Sequence, residues 1–219
     1  FVIAYDVYLL IRIVYMSVHL LYAYRRLKEN RQIDWHGRLE EAKSDIDWNA
    51  VHHIVIIPTY DESLHVLRTS LESLVRAAYP KERMHVVVGF EERSGKEARK
   101  RGEKLQQEFA SYFQTFLTTF HPDGLPGEKR VKSANATWAL KQMEEALAKE
   151  NIPERMILVS NFDSDTVISP DYISYLTYVF ITTKDPYRAS YQPIPVYNNN
   201  LWDAPSFSRV IAMGQPFGR

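Results

Sequence analysis

Two aspartates one residue apart, Asp163 and Asp165, follow a short apolar run at residues 156–159. The run has the length and composition of a strand, and its continuous apolar character predicts that it is covered on both faces. The packing of such a strand does not require carboxylates at its end, whereas hard oxygen ligands there suit Mg²⁺ or Mn²⁺. The spacing therefore indicates a metal site. An Asp-rich turn with a capping role explains the spacing alone equally well.

The elements that must position these carboxylates alternate between strands and helices along the chain. Leucines at helical spacing follow the first strand, and a charged helix follows the second, from Lys96. Ser133 or Asn135 is placed to cap the next helix, and Ser169 with Pro170 to cap and begin the last one. Strands are predicted at residues 53–57, 84–88, 113–120, 156–159 and 187–192.

This alternation predicts an α/β fold with a mostly parallel sheet, in which ligands bind beyond the carboxyl ends of the strands. Three polar segments fall at that edge: residues 58–62, residues 91–93, and the two aspartates. The sequence has no Gly-rich dinucleotide fingerprint and no P-loop. The edge therefore favours a different phosphate ligand.

A nucleotide diphosphate fits the remaining side chains. Tyr60 can lie against a base, Glu91 can accept from a base or ribose donor, and Lys132 can add positive charge. A metal ion is required because the two aspartates would otherwise repel the diphosphate. Each residue also has an ordinary alternative: Tyr60 as a core ring, Glu91 as a helix-start residue, Lys132 as a solvated side chain.

Composition restricts the class of protein. The 219 residues are 45% hydrophobic and 25% charged, enough for one sizeable core. The formal net charge of +0 argues against a nucleic-acid-binding protein that works through a broad basic field. The sequence has no cysteine, which excludes disulfides and thiolate metal sites.

The chain divides into three predicted regions. Residues 1–27 are apolar and end in a basic cluster, which predicts a membrane-spanning or interfacial helix with the following domain on the cytoplasmic side. Asp6, Arg12 and His19 interrupt this stretch, so an ordinary buried helix stays an alternative. Residues 28–50 form a polar linker, in which Trp35 and Trp48 lie at a headgroup level or dock on the domain; residues 51–219 form the α/β domain.

The order of motifs resembles the GT-A fold of the family 2 glycosyltransferases. Residues 58–62 read Pro-Thr-Tyr-Asp-Glu, similar to the family's opening Pro-Thr-Tyr-Asn-Glu, and residues 163–165 resemble its Asp-x-Asp metal motif. Further similarities, several of them to a membrane-bound subgroup, lie at residues 71–74, 79–80, 121–122, 127–128, 132–135, 191–193 and 200–202.

The resemblance implies an inverting, Mg²⁺- or Mn²⁺-dependent transfer of a sugar from a nucleotide-sugar donor to a glycan or lipid-linked acceptor at a membrane. Glu91 would contact the base, Lys132 would lie near the diphosphate, Asp163 would face ribose or metal, and Asp165 would bind the metal directly. The nucleotide pocket would be lined by Pro58, Thr59, Tyr60 and Glu62.

The sequence also departs from the family pattern. The usual Asp-Asp of the second strand is Phe90-Glu91, and neither the catalytic-base motif nor the acceptor-side Gln-x-x-Arg-Trp motif occurs before Arg219. We therefore expect a fragment of a longer chain whose base lies beyond it, since Asp203 is the only late acidic residue near the right region.

Two other functions compete with sugar transfer. A membrane-tethered nucleotide-binding or scaffolding domain would keep the fold without the chemistry. A metal-dependent phosphoryl-transfer or hydrolase domain would need a nucleophile or a histidine at the carboxyl ends of the strands, whereas His52 and His53 precede a strand.

Overall fold

The computed structural model describes residues 2–127 and 131–193. These residues fall into two compact units, one of residues 2–34 with 190–193 and the other of Trp35–Ala189. The motif at residues 200–202, Asp203 and one half of the motif at residues 127–128 lie outside the described residues.

The unit Trp35–Ala189 contains a four-stranded sheet in the order β3-β2-β1-β4, in which every neighbouring pair is parallel. This arrangement confirms the predicted α/β class with its parallel sheet. The strands are β1 His52–Pro58, β2 Met84–Glu91, β3 Thr115–His121 and β4 Ile157–Asn161.

Six α-helices accompany the strands in the described residues, and short 3-10 turns connect several elements. The helix α5 packs on one face of the sheet, where Ala139 and Met143 meet Ile54, Ile56 and Val87. The helices are α1 Val2–Asn30, α2 Trp35–Glu40, α3 Leu64–Val75, α4 Gly95–Phe109, α5 Lys132–Leu147 and α6 Tyr172–Thr182.

The strand β4 is less covered than its apolar sequence predicts. It pairs only with β1 in the described part of the sheet, Val159 is 50% exposed, and Ile157 and Leu158 are partly buried. The expectation of a strand covered on both faces is therefore wrong. A continuous apolar run does not distinguish a central strand from one at the edge.

The predicted start of α6 is also wrong. The helix begins at Tyr172, after Asp171, and no side chain caps it. The carbonyl of Pro170 accepts a 2.8 Å hydrogen bond from the N–H of Ala78. This tertiary contact holds Ser169 and Pro170 outside the helix.

The predicted caps of α5 are wrong for a similar reason. The helix begins at Lys132, Val131 occupies the cap position, and no side chain caps the helix. Ser133 and Asn135 lie inside the helix, and the buried Asn135 amide is directed at the sheet.

No strand forms at the predicted residues 187–192 within the described residues. The segment begins as a 3-10 turn, Pro186–Arg188, because Pro186 fixes its own backbone and has no N–H for a strand ladder. The ring of Tyr187 lies edge-on to Phe180, with centroids 5.8 Å apart. This contact keeps the turn against the end of α6.

The helix α1 is long and apolar enough to cross a membrane, the only such helix in the described residues. Its apolar side chains are exposed along its length, including Leu10, Ile13 and Leu21. By length and composition, α1 is thus a candidate membrane span.

Both tryptophans of the predicted linker dock within the unit Trp35–Ala189. Trp35 is buried and lies against Tyr175 and Tyr178 of α6, with ring centroids 4.3 and 5.5 Å away. Trp48 meets Tyr79 edge-on at 6.2 Å, and the guanidinium of Arg83 lies 5.4 Å from its ring centroid.

The amino-terminal edge of the sheet contains three linked histidines. Burial, reinforced by the neighbouring histidines, lowers the pKa of His53 to about 3, and its Nε2 lies 2.8 Å from Thr177 Oγ1. Burial, with a smaller effect of His52, lowers the pKa of His85 to about 4. His52 Nδ1 lies 3.0 Å from His85 Nε2. The histidines therefore stay neutral near pH 7. They lie at the starts of β1 and β2, on the opposite edge of the sheet from the carboxyl ends where the sequence predicts a ligand site.

We expect the free energy of unfolding to fall as the pH is lowered from about 6.5 towards 4, because the unfolded chain binds protons that buried His53 and His85 do not. Each histidine contributes a slope of about 1.4 kcal/mol per pH unit in that window. Unfolding followed by tryptophan fluorescence at several pH values measures the slope. It should decrease in H85N and stay unchanged in H65N, which alters an exposed histidine of α3. An equal slope in H85N and in the wild type would contradict this account.

Candidate active site at the carboxyl edge of the sheet

The loop after β1 folds around the carboxylate of Glu62. Thr59 Oγ1 donates to Glu62 Oε2 at 2.5 Å, and the backbone N–H of Tyr60 donates to the same oxygen at 2.7 Å. The next residue, Ser63, caps α3 by accepting from the N–H of Val66 at 3.4 Å. The loop therefore has a defined shape between the strand and the helix.

Glu62 remains ionised despite its partial burial. Burial alone would raise its pKa, but the hydrogen bonds from Thr59, the Tyr60 N–H and Ser164 outweigh that effect and lower the pKa to about 2. A charged acceptor strengthens each of these hydrogen bonds.

The loop after β4 contains a tight turn at residues 163–166, here named the acidic turn. The N–H of Thr166 donates to the carbonyl of Asp163 at 2.9 Å and closes it. Ser164 is 5% exposed and donates to Glu62 Oε1 at 2.8 Å. Asp163 and Asp165, which flank this buried serine, are both exposed.

Two serines of α3 hold the far side of the acidic turn. Ser70 Oγ donates to the carbonyl of Thr166 at 2.5 Å, and Ser73 Oγ accepts from the N–H of Ile168 at 3.1 Å. The sequence did not predict this contact for either residue, although Ser73 lies in the family-like segment 71–74. The sequence feature that could have indicated this contact is that two serines lie on the apolar face of α3, where their hydroxyl groups need partners.

Lys132, the first residue of α5, donates through Nζ to Asp163 Oδ1. Their side chains are 49% and 74% exposed, respectively. The pair lies in solvent, so its contribution to stability is small. It does place a positive charge beside the acidic turn.

A second group joins the ends of β1, β2 and β3. Glu91 is 5% exposed, and its Oε2 lies 3.4 Å from His121 Nδ1 and 3.5 Å from Arg93 Nε. The guanidinium of Arg93 lies 4.7 Å from the ring centroid of Tyr60, and Ser94 Oγ donates to the Tyr60 carbonyl at 2.8 Å. The exposed ring of Tyr60, the guanidinium of Arg93 and the buried carboxylate of Glu91 are therefore adjacent to one another.

Asn135 connects α5 to the ends of the two central strands. Its buried Nδ2 donates to the carbonyls of Gly89 at 2.7 Å and Thr59 at 3.2 Å. Gly89 makes this approach possible, because a Cβ there would lie 2.6 Å from Asn135 Oδ1. The sequence predicted a helix cap for Asn135 and did not find this role.

The structure places all the predicted site residues at the carboxyl edge. It joins Thr59 to Glu62, brings Tyr60 near Glu91 through Arg93, and pairs Lys132 with Asp163. It does not gather three or more His, Asp or Glu side chains into a metal cluster in the described residues. The remaining predicted residues are Pro58, the buried last residue of β1, and Asp165, in the acidic turn.

The carboxylates of Asp163 and Asp165 are nevertheless suitable ligands for a divalent cation whose other ligands come from a bound molecule. Asp163 and Asp165 supply two exposed carboxylates from one turn. Proteins commonly bind Mg²⁺ through one or two carboxylates together with the phosphates of a substrate. The two carboxylates therefore match a divalent cation in ligand chemistry, and Asp163 Oδ1 accepts from Lys132 Nζ in this structure.

Comparisons with known proteins find matches of low identity among solved structures. No family model matches the chain, and no curated protein does. The chain is similar to TarS from S. aureus at 18% identity and a TM-score of 0.41, over 60% of this chain and 19% of that one. It is also similar to a mannosyltransferase from Pyrobaculum calidifontis in complex with GDP-Man and Mn²⁺, at 17% identity and a TM-score of 0.42, over 75% of this chain and 41% of that one.

The chain thus spans less than half the length of either protein. At TM-scores below 0.5, these similarities carry no argument about function.

We expect the substitution G89A to lower the free energy of unfolding by about 1–3 kcal/mol, because the added methyl group overlaps Asn135 Oδ1. The penalty should be smaller when G89A is introduced into an N135A background. Urea denaturation of the wild type, the two single variants and the double variant measures this coupling. An equal penalty in both backgrounds would show that the Asn135 side chain does not restrict position 89.

Proposed function

We propose that this chain is the donor-binding part of a GT-A glycosyltransferase similar to family 2. It transfers a sugar from a nucleotide-diphosphate donor to a hydroxyl of a glycan or lipid-linked acceptor. The observation that carries the proposal is the position of the acidic turn. Its two exposed carboxylates follow β4, directly beside the end of β1 and the loop that holds Tyr60.

The surface of Tyr60, Arg93 and Glu91 suits the nucleobase end of the donor. Tyr60 is 51% exposed and offers a ring face for stacking, and Arg93 already lies over that ring. Glu91 offers a buried acceptor for a base N–H. His121, at 3.4 Å from Glu91, orients that carboxylate.

The acidic turn and Lys132 suit the diphosphate. Asp163 and Asp165 would hold Mg²⁺ or Mn²⁺ together with the phosphates. When bound, this ion would neutralise the negative charge that develops on the departing nucleotide diphosphate. Lys132 adds a second positive charge from the start of α5, where the helix dipole also favours an anion.

We infer the course of the transfer from the family resemblance. The acceptor hydroxyl attacks the anomeric carbon on the face opposite the nucleotide diphosphate, the bond from that carbon to the diphosphate breaks, and the configuration inverts. A carboxylate takes the proton of that hydroxyl. We assign this base to no residue of the described chain, and Asp203 lies outside it.

We further propose that α1 spans the membrane and that the α/β unit lies on its cytoplasmic side. The helix has the required length and composition, and the basic residues Arg25, Arg26 and Lys28 lie near its carboxyl-terminal end. Basic residues next to a spanning helix favour the cytoplasmic side. This location gives access to a membrane-linked acceptor.

Metal-dependent nucleotide binding tests the proposal directly. We expect the full chain to bind UDP or GDP more tightly with Mn²⁺ than with EDTA, and D165A to lose this gain, because the carboxylate is a ligand of the ion. Isothermal titration calorimetry in detergent measures both effects. D185A, which removes an exposed aspartate after α6, should behave as the wild type. Binding that is indifferent to metal and to D165A would refute the proposal.

The base subsite is tested separately. We expect Y60A to weaken nucleotide binding by about 1–3 kcal/mol, the usual contribution of stacking a base on an aromatic ring. Binding of inorganic pyrophosphate with Mn²⁺ should not change, because pyrophosphate has no base. Y112A removes a ring of similar exposure, 49% against 51%, and is the control. Equal losses for nucleotide and pyrophosphate would place the base elsewhere.

A further inference from the structure

Ser164 is buried between the two exposed aspartates of the acidic turn. Its hydroxyl donates to Glu62 Oε1 at 2.8 Å, across 102 positions of sequence. Ser164 is thus the buried side chain of the Asp-Ser-Asp segment. Asp163 and Asp165 flank it on the same short turn, so the position of Ser164 affects both, and Asp163 also accepts from Lys132 Nζ.

Glu62 has both carboxylate oxygens engaged. Oε2 accepts from Thr59 Oγ1 and the Tyr60 N–H, and Oε1 accepts from Ser164. The carboxylate therefore faces the protein, and its hydrogen bonds hold two loops together. The family resemblance implies that Glu62 lines the nucleotide pocket, and these hydrogen bonds give it a contact with the acidic turn as well.

The two loops serve opposite ends of the proposed donor. The Tyr60 backbone belongs to the loop of the base subsite, and Ser164 belongs to the acidic turn of the metal subsite. A single carboxylate bonds to both, so its position determines their separation. Two serines of α3 bond to the chain at the end of the acidic turn: Ser70 Oγ donates to the Thr166 carbonyl at 2.5 Å, and Ser73 Oγ accepts from the Ile168 N–H at 3.1 Å. Glu62 bonds to Ser164, in the middle of the turn.

We propose that Glu62 is a positioning residue that acts through Ser164: it orients the two aspartates for the metal and sets their distance from the base subsite. This inference rests on the proposed function. Residues that orient metal ligands without touching the metal typically change its affinity by about 10–100-fold when removed. We expect removal of the Glu62 or Ser164 side chain to change the affinity for the metal by about the same factor.

Four variants separate this role from general stability. S164A and E62A each remove the hydrogen bond. The double variant E62A/S164A should be no worse than the more affected single variant, because the shared contact can be lost only once. E62Q is the conservative variant, since its amide can accept from the Tyr60 N–H and donate to Ser164 Oγ. S111A removes an exposed serine hydroxyl and is the matched control.

The first measurement needs neither metal nor nucleotide. Hydrogen–deuterium exchange reports the N–H of Thr166, which closes the acidic turn. We expect its exchange to be about tenfold faster in S164A and E62A and unchanged in S111A. Peptides from the central strands should exchange as in the wild type, which shows that each variant is folded. Unchanged exchange at the turn in both S164A and E62A would overturn the inference.

The second measurement is Mn²⁺ binding by electron paramagnetic resonance, with GDP and with UDP. We expect S164A and E62A to weaken Mn²⁺ binding about 10–100-fold, and E62Q to stay near the wild type. Loss of binding in D165A with wild-type affinity in S164A and E62A would overturn the positioning role and leave the proposed function intact. Failure of the wild type to take up Mn²⁺ with either nucleotide would overturn both.

Discussion

The parallel pairing of β1 with β4 is the constraint on which the candidate site depends. It sets His52 opposite Ile157 and Ile56 opposite Asn161, so two loops from distant parts of the chain emerge side by side. Parallel strands direct their carboxyl ends to the same edge, where ligands of open α/β sheets bind. Without this register, Ser164 would not reach Glu62, and the acidic turn would have no partner in the first loop.

The protonation state of ionisable side chains is determined by different effects at the two edges of the sheet. At the amino-terminal edge, burial keeps His53 and His85 neutral; His53 lies within hydrogen-bond distance of Thr177, and His85 within hydrogen-bond distance of His52 and Thr115. At the carboxyl edge, hydrogen bonds keep Glu62 charged although it is partly buried. Negatively charged side chains thus lie at the carboxyl edge, where an ion and phosphates are proposed to bind.

The alternation of strands and helices was predictable because apolar period and length are local properties of the sequence. The parallel sheet and the clustering of Tyr60, Glu91 and Asp163 at one edge followed from that alternation alone. The edge position of β4 was not predictable, because coverage depends on which strand lies beside it. The capping errors at Ser169 and Asn135 have the same cause: each segment bonds to a distant backbone, Pro170 to Ala78 and Asn135 to Gly89. The roles of Ser70 and Ser73 also depend on partners about ninety residues away, which no local pattern contains.

The exposure of β4 has a consequence for handling the protein. This strand pairs with β1 on one side only in the described residues, and Val159 is 50% exposed on it. A sheet edge of this kind offers open N–H and C=O groups to any extended chain, and apolar side chains favour such an encounter. Among the described residues, the outer side of β4 is therefore the edge that favours association with another extended chain, and a charged side chain at position 159 would suppress it without touching the carboxyl edge.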